Sequence, residues 1–331
     1  MKAAVLHAFG QVPQWEEFPQ PVPREGEELI EVTAAPLNNI DRVRADGSHY
    51  SVRAGEYASG GLPAVPGVIG AGRLPGGQRV LFGSRCGTMA QYSVARPEMT
   101  FAIPGDLDDA VAAAAWNPGM SAWLTFGWRC PLEPGQAVLI LGATGVTGQL
   151  AVQAARHFGA GRIVAAGRNQ QVLDMLPGLG ADAVIQLGQP ADVVAAAFNA
   201  EGGEHGYDLV VDYLWGRPCE IFLGAIDRGD AHLGSGRVRL LQAGEMAGSS
   251  ISLPGSVLRS AGLEVLGLGT GTMPPPDVIT RMLGELLDLL ASGKLHIAIE
   301  RVPLSAVGEM WRRDQQGRRP VFIPPPSVPA E

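Results

Sequence analysis

The sequence is poor in lysine, cysteine and long hydrophobic runs, and each shortage excludes a class of protein. Of 25 basic residues only Lys2 and Lys294 are lysines, which nearly excludes Schiff-base catalysis, and no P-loop Gly-Lys-Ser/Thr occurs. Three widely separated cysteines cannot form a disulfide framework or a four-thiolate zinc site, so we expect reduced thiols and a cytoplasmic protein. No apolar run reaches the ~18 residues of a transmembrane helix.

An excess of basic charge is also missing. The 33 acidic residues outnumber the 25 basic ones, for a formal net charge of −8. Nucleic acid and anionic membrane surfaces both attract basic proteins, so neither is expected as a partner. The expected partner is a small-molecule substrate.

The pattern along the chain indicates two kinds of domain. The 331 residues fit a prior of about 150 residues per domain. Residues 1–115 contain short apolar segments between closely spaced Gly and Pro, which is typical of a small β-barrel or sandwich. After about residue 119, strand and helix patterns alternate, which predicts a doubly wound parallel sheet.

A glycine-rich turn carries the strongest functional signal. The unbroken apolar strand Ala137–Leu141 leads through a turn into an amphipathic helix. Gly142, Gly145 and Gly148 are spaced three residues apart across that turn and the start of the helix. In this context such glycines let a pyrophosphate approach the backbone at a helix N-terminus. The residues predicted to bind a dinucleotide here are Gly142, Ala143, Thr144, Gly145, Val146, Thr147 and Gly148.

The choice of dinucleotide is expected about 20 residues after the last glycine, at the end of the next strand. That segment reads Gly167, Arg168, Asn169, and it has no carboxylate to accept from the ribose 2′-OH of NAD. A guanidinium binds the 2′-phosphate of NADP instead. These three residues are therefore predicted to select NADP(H), although Arg168 is alternatively a solvated loop cation.

Motifs spread over nearly the whole chain resemble those of a known superfamily. They are the opening strand MKAAVLHAFG, the loop Ala35–Asp41, the segment Pro66–Gly72, the stretch Pro118–Trp123 and the strand Asp208–Asp212. In order and spacing the sequence resembles the medium-chain dehydrogenase/reductase superfamily, and within it the zinc-free quinone oxidoreductase (zeta-crystallin-like) branch.

The resemblance implies an α/β fold with two domains. A GroES-like β-barrel catalytic domain would comprise residues 1–118 and 273–331, and a doubly wound Rossmann domain binding NADP(H) would comprise residues 119–272. It further implies a homodimer.

Zinc is not expected in this protein. Zinc-dependent relatives carry Cys, Gly-His-Glu and Cys where this chain has Asn38, Gly67-Val68-Ile69 and Asn117-Pro118, and none of these side chains is a usual zinc ligand. Without such a Lewis acid, alcohol oxidation is disfavoured. Hydride transfer from NADPH to a quinone or an α,β-unsaturated carbonyl is the predicted reaction.

The resemblance also points to individual site residues, each with a plainer alternative. Asn38 would donate to a substrate or ribose oxygen, or it caps a turn. Asp41 would order that loop by accepting from backbone N–H groups. Tyr50 would donate to the acceptor carbonyl, or it is an exposed loop tyrosine, with His49 and Tyr57 as weaker candidates from the same loops.

Three further residues are expected at the cofactor. Ser121 would lie near the nicotinamide phosphate, or it is a hydroxyl of a helix. Tyr213 follows a strand at the ligand-binding edge of the sheet and would contact the adenosine or ribose. Leu268, in the segment Gly267–Gly271, would approach the nicotinamide carboxamide, or that segment is only a hinge.

Two other functions stay open. A carbonyl or alcohol dehydrogenase has the same fold, because a fold does not determine a substrate. A non-catalytic NADPH-binding protein, a sensor or a crystallin-like protein, would bind the cofactor without turnover.

Overall fold

The structure is a computed structural model that describes residues 1–53, 61–227 and 237–326. The chain divides into two compact units: the first comprises Met1–Asn117 and Leu283–Glu331, and the second comprises Pro118–Met282. The domain bounds expected from sequence, and the roles given to the two domains, stay predictions. No helix in the described ranges is both long and apolar enough to cross a bilayer.

The regular elements are numbered in chain order. The strands are β1 (Lys2–Val5), β2 (Gln14–Glu17), β3 (Glu28–Pro36), β4 (Ile69–Arg73), β5 (Arg79–Gly83), β6 (Tyr92–Ala95), β7 (Thr100–Ala102), β8 (Ala137–Leu141), β9 (Arg162–Gly167), β10 (Ala183–Gln186), β11 (Leu209–Asp212), β12 (Val238–Gln242), β13 (Leu263–Gly267), β14 (Ile299–Pro303) and β15 (Arg319–Ile323). The helices are α1 (Asn39–Ala45), α2 (Tyr50–Arg53), α3 (Asp109–Leu124), α4 (Val146–His157), α5 (Gln170–Leu173), α6 (Ala191–Gly202), α7 (Gly216–Ile226), α8 (Gly255–Ser260), α9 (Pro276–Ala291) and α10 (Val307–Met310).

The second unit is built on a parallel six-stranded sheet in the order β10-β9-β8-β11-β12-β13. The chain moves outward from β8 to β10 and then crosses back to β11, which makes the β8/β11 boundary the switch point of a doubly wound sheet. Residues Val138 to Leu141 of β8 are fully buried, because helices cover both faces of such a sheet. The doubly wound sheet predicted from the alternating pattern is confirmed.

The first unit contains a mixed sheet in the order β14-β15-β3-β4-β5-β7, with β6 also paired to β3, and a separate antiparallel pair of β1 and β2. The long strand β3 is central because it pairs with β15, β4 and β6. Its core includes Ile30, Phe82, Trp311 and Phe322, so the C-terminal segment packs with the N-terminal strands. This arrangement places the loop after β3 beside the loop before β15.

Candidate functional site

The glycine-rich turn joins β8 to α4 in the second unit. Gly142 has φ +90°, a left-handed conformation that an L side chain rarely adopts. The amides of Gly142 and Ala143 both donate to the carbonyl of Ala166 at 2.9 Å, which fixes the turn against β9. The Gly145 amide donates to the Gly142 carbonyl at 3.1 Å, and α4 begins at the next residue.

Gly148 allows the closest approach in this turn. A Cβ at this position would lie 2.3 Å from the Gly142 carbonyl oxygen and 2.5 Å from the Ala143 Cα. Only glycine therefore lets the first turn of α4 pack on the loop that precedes it. A Cβ on Gly167, at the end of β9, would lie 2.3 Å from Thr144 Cγ2, which places Gly167 directly beside the same loop.

The N-terminus of α4 points its unsatisfied donors out of this turn. The amides of Val146, Thr147 and Gly148 belong to the first turn of the helix, where no intrahelical acceptor exists. They combine with the positive end of the helix dipole to favour an anion. The backbone from Gly142 to Gly148 therefore forms a cradle that fits the pyrophosphate of a dinucleotide.

Arg168 extends from the end of β9 into solvent. Its guanidinium has no hydrogen-bond or ion-pair partner within the described part of the chain, while its backbone carbonyl accepts from Gln186 Nε2 at 2.9 Å. Asn169 caps the next helix, since its Oδ1 accepts from the Val172 amide at 3.3 Å. A backbone-anchored arginine with an exposed guanidinium fits a phosphate at this edge of the sheet.

Tyr213 is a buried residue that directly follows β11. Burial raises the pKa of its phenol, and the Ser121 and Thr125 side chains act in the opposite direction, although neither meets the Tyr213 hydroxyl with full hydrogen-bond geometry. Ser121 is half-buried inside α3. Tyr213, Ser121 and Thr125 therefore form a small group of hydroxyls in the second unit.

Leu268 follows β13, and its amide donates to the Gln242 carbonyl at 3.0 Å. The glycine turn and the predicted residues Arg168, Tyr213 and Leu268 therefore follow the carboxyl ends of parallel strands, which is the edge where doubly wound sheets bind ligands. Their roles at a cofactor stay predictions.

Asn38 and Asp41 lie at the start of α1 in the first unit. Asp41 is 2% exposed, and its carboxylate accepts from the Asn38 amide at 2.8 Å and from the Val68 amide at 3.0 Å. Burial raises the pKa of the Asp41 carboxyl from its ordinary 3.8 to about 6, although these amides and the charge of Arg319 favour the ionised form. Asp41 thus ties the Asn38 loop to the segment that precedes β4.

Asn38 is 1% exposed and is the N-cap of α1, in a capping box with Asp41, as the plainer alternative expects. Its Nδ2 and Oδ1 meet no partner of full hydrogen-bond geometry among the described residues, although the Asn38 side chain favours the ionised form of Asp41. Burying an amide without hydrogen bonds costs free energy, so the group is placed to meet a partner that the chain itself does not supply. This is the property expected of an amide that binds substrate or cofactor oxygen. The role itself stays a prediction.

Tyr50 begins the short helix α2 and is 53% exposed. Its ring packs on His49 with centroids 4.1 Å apart, and His49 Nδ1 lies 2.8 Å from the Ser51 hydroxyl. The phenol is therefore accessible. Tyr57 lies outside the described residues.

The positions that hold zinc in related proteins carry Asn38, Val68, Ile69 and Asn117, and none has a thiolate, imidazole or carboxylate. Within residues 1–53, 61–227 and 237–326, no cluster of three or more His, Cys, Asp or Glu residues could hold a metal ion.

Comparison with known proteins places this fold and chemistry in a family. A family model described as zinc-binding dehydrogenase matches residues 146–223, within the second unit. The matched segment includes none of the three zinc-ligand positions.

Individual relatives match a larger part of the chain than the family model does. An alcohol dehydrogenase of Rhizobium meliloti is 30% identical over 62% of this chain and 68% of its own length. A probable NADPH-dependent quinone reductase of Emericella nidulans, tdiC, is 26% identical over 98% of this chain and 100% of its own length. Polyketide synthase proteins also match, but the chain spans only 12% of their length.

A solved structure of a relative has the same fold. The quinone oxidoreductase from Thermus thermophilus, solved also in complex with NADPH, superimposes with a TM-score of 0.78 at 26% identity and covers 98% of this chain and 100% of its own. The predicted α/β class, with GroES-like and Rossmann domains, is confirmed. The fold and the relatives define an oxidoreductase. The chain belongs to the medium-chain dehydrogenase/reductase superfamily, in its quinone oxidoreductase branch.

Sequence reasoning missed the residues that hold the Asn38 loop. Gln315 and Arg319 both donate to the Leu37 carbonyl, at 3.1 and 2.8 Å. No local pattern connects residues that lie 278 and 282 positions apart in the chain. The one available signal was an arginine at the start of an apolar stretch near the C-terminus, where a buried charge needs a specific acceptor.

Proposed function

We propose that this protein is a zinc-independent, NADPH-dependent oxidoreductase that reduces a quinone or an α,β-unsaturated carbonyl. The observation that carries the proposal is the exposed guanidinium of Arg168 at the end of β9, beside the cradle formed by Gly142 to Gly148. When bound, NADPH supplies a hydride from its nicotinamide ring.

The cofactor is held by backbone and side-chain groups of the second unit. The amides at the start of α4 bind the pyrophosphate, and Arg168 binds the 2′-phosphate through paired donors. Leu268 and the hydroxyls of Ser121 and Tyr213 serve the ribose and nicotinamide portions. The quinone reductase tdiC and the NADPH complex of the Thermus enzyme support this choice of cofactor.

The acceptor is activated by the residues of the first unit. Negative charge develops on the acceptor oxygen as the hydride arrives, and fixed hydrogen-bond donors stabilise it. The buried amide of Asn38 donates to this oxygen from a loop that Asp41 holds rigid, and Tyr50 adds a phenolic donor. Quinones and conjugated carbonyls are already electrophilic, so donors of this kind suffice without a Lewis acid.

The experiment is a stopped-flow screen of NADPH oxidation against a panel of quinones, enones and aldehydes, before and after dialysis with a chelator. We expect quinones or enones to be reduced, at a rate that the chelator does not change. Inactivation that Zn²⁺ restores would overturn zinc independence. Tight NADPH binding without oxidation by any acceptor would establish the non-catalytic alternative.

A carbonyl or alcohol dehydrogenase is the second candidate. The observation in its favour is the relative named alcohol dehydrogenase, which is 30% identical. The same screen separates the two, because a carbonyl reductase prefers saturated aldehydes or ketones over quinones. An NADP⁺-dependent oxidation of the matching alcohols would complete that case.

A homodimer is proposed as the assembly. Of the two edge strands of the parallel sheet, β13 exposes 42% of Val265 and β10 exposes 36% of Val184, and an edge strand with an exposed apolar side chain readily pairs with a second copy. We place the dimer contact at β13, where the exposed fraction is larger. Light scattering after size exclusion should give a dimer mass. Val265→Lys should shift it toward the monomer, and a wild-type monomer would refute this assembly.

A further inference from the structure

A group of buried polar side chains lies beneath the start of α1 in the first unit. Asn38, Asp41 and Arg319 belong to it, and Arg319 is 3% exposed. Burial lowers the pKa of Arg319 to about 10, so its guanidinium keeps its charge at neutral pH. A buried arginine of this kind is kept only where specific acceptors receive its donors.

Arg319 holds the peptide group between Leu37 and Asn38 by a hydrogen bond. Its Nη1 donates to the Leu37 carbonyl at 2.8 Å and to Gln315 Oε1 at 3.2 Å. Gln315 Nε2 donates to the same Leu37 carbonyl at 3.1 Å, and the Leu37 amide donates to the Pro320 carbonyl at 2.9 Å. Both polar groups of the Leu37 backbone are therefore held by the C-terminal segment.

A second set of hydrogen bonds holds the chain at Arg42, about one helical turn further on. Arg42, in α1, donates through Nη2 to the carbonyls of Met310 at 3.2 Å and Arg313 at 3.0 Å. The segment from residue 37 to residue 42 is thus held at both ends by residues 310 to 320. Asn38 lies between these two sets of hydrogen bonds.

The held segment retains unused hydrogen-bonding capacity. Asn38 Nδ2 and Oδ1, Arg42 Nε and Arg319 Nε are all buried, and none has a partner in the described ranges. The chain fixes the backbone on either side of the Asn38 amide, and the amide, at the N-cap of α1 beside Asp41, keeps donors and an acceptor without a partner of full geometry. Such an arrangement preorganises a donor for a bound group.

We propose that Arg319 is a positioning residue, which with Gln315 fixes the Leu37–Asn38 peptide so that the Asn38 amide is oriented toward the acceptor oxygen. The inference rests on the proposed function, because it assigns Arg319 to the same reaction. Arg319 acts through Asn38 and needs no contact with the substrate.

The first test measures, without any substrate, how firmly Arg319 holds the backbone around Asn38. Hydrogen exchange of the peptides that cover residues 36 to 46 is compared in the wild type, Arg319→Leu and Arg319→Lys. We expect exchange at least about tenfold faster in Arg319→Leu, because local opening is no longer resisted, and largely restored protection in Arg319→Lys. Arg318→Leu is the matched control, since the neighbouring Arg318 is exposed and should not matter.

The second test measures catalysis. Arg319→Leu should lower kcat for the acceptor by about tenfold to a hundredfold, because a donor misplaced by about 1 Å loses that much. The NADPH dissociation constant should be unchanged, since the predicted cofactor residues belong to the second unit. Arg319→Lys should recover most of kcat, and Arg318→Leu should retain all of it.

A pH profile separates positioning from general support of the fold. Asp41 is faced by Arg319 and Arg42, and Arg44 and Arg85 line the small cavity beside it. Loss of the Arg319 charge should move the acid limb of kcat/KM to higher pH, and Arg319→Lys should move it back. A purely structural residue would lower activity without moving this limb.

The outcomes are distinct. An active wild type with unchanged exchange, kcat and acid limb in Arg319→Leu overturns the positioning role alone. A wild type that reduces no acceptor overturns the proposed function and the catalytic role of Arg319 with it. If Arg319→Leu does not fold, Gln315→Met removes the second donor to Leu37 at a half-buried position, and wild-type exchange and kcat in that variant overturn the proposal.

Discussion

The two candidate sites of this protein are built in different ways. In the second unit, Gly142 to Gly148 lie within one turn, and Arg168 follows after one further helix and strand. In the first unit, the Leu37 carbonyl beside Asn38 accepts from Gln315 and Arg319, which lie 278 and 282 positions further along the chain. A local site can be recognised from spacing alone, whereas a site made by distant segments becomes visible only once the chain is folded.

The largest expected effect tests the local site. Gly148→Ala places a Cβ 2.3 Å from the Gly142 carbonyl oxygen, so either the helix or the turn must shift. We expect a loss of about 3 kcal/mol in the free energy of unfolding, at the upper end for overpacking, together with loss of NADPH binding. Urea unfolding and fluorescence titration with NADPH measure the two effects.

Two other glycines of the second unit sharpen this result. Gly178→Ala meets nothing within 4 Å and should change neither quantity. Gly145→Ala meets only the Gly142 carbonyl oxygen, at 3.5 Å, and should cost at most about 1 kcal/mol of stability, because alanine is a poorer N-cap of α4 than glycine. Its methyl group would nevertheless obstruct a pyrophosphate, raising the NADPH dissociation constant about tenfold or more. Wild-type affinity in Gly145→Ala would place the dinucleotide elsewhere.

The second prediction concerns Asp41, the buried carboxyl of the first unit. The unfolded carboxyl loses its proton near pH 3.8 and the folded one near pH 6. Between these values the folded state binds more protons, so the contribution of Asp41 to stability is complete below pH 3.8 and is lost as pH rises through 6. The contribution amounts to about 3 kcal/mol.

Asp41→Asn cannot titrate and should remove this component. Unfolding free energies of the wild type and the variant are measured from about pH 4 to pH 7, and their difference cancels the other carboxyls. Asn keeps only one acceptor for the two backbone amides, so the variant is less stable overall, and the prediction concerns the slope. Parallel curves for the two proteins would mean that Asp41 titrates normally.

The same contrast explains how much of the structure could be predicted. Strand β8 has the predicted bounds, because a strand buried on both faces of a parallel sheet leaves an unbroken apolar run in the sequence. The glycine turn was equally readable, since every residue that shapes it is local. Strands β14 and β15 were missed because Pro303 and Pro320 argue against strand interiors.

The environment of Asn38 was not predictable from sequence. The loop that contains Asn38 could be assigned by resemblance. Its burial and its hydrogen bond from Arg319 depend on the antiparallel pairing of β15 with β3. That pairing brings together segments at opposite ends of the chain. Its register is set by packing in the core, for which a single sequence has no local signal.

The third prediction returns to the second unit. Arg168→Ala removes charged donors to the 2′-phosphate, each contact of this kind contributing about 1.5–3 kcal/mol. The NADPH dissociation constant should rise about tenfold to a hundredfold, and that of NADH should stay the same. Arg259→Ala, which removes another exposed arginine of this unit, is the control. Equal weakening of both cofactors would contradict the 2′-phosphate assignment.

The smallest expected effect falls on Tyr50, the exposed candidate of the first unit. Tyr50→Phe removes only the hydroxyl, and a neutral hydrogen bond contributes about 0.5–1.5 kcal/mol. Turnover of a quinone or enone should fall about twofold to tenfold, with NADPH affinity and thermal stability unchanged because the side chain is 53% exposed. Tyr92→Phe in β6 is the matched control for loss of a phenol in the same unit. An unaltered rate in Tyr50→Phe would leave the buried Asn38 amide as the acceptor's only donor among the predicted catalytic residues.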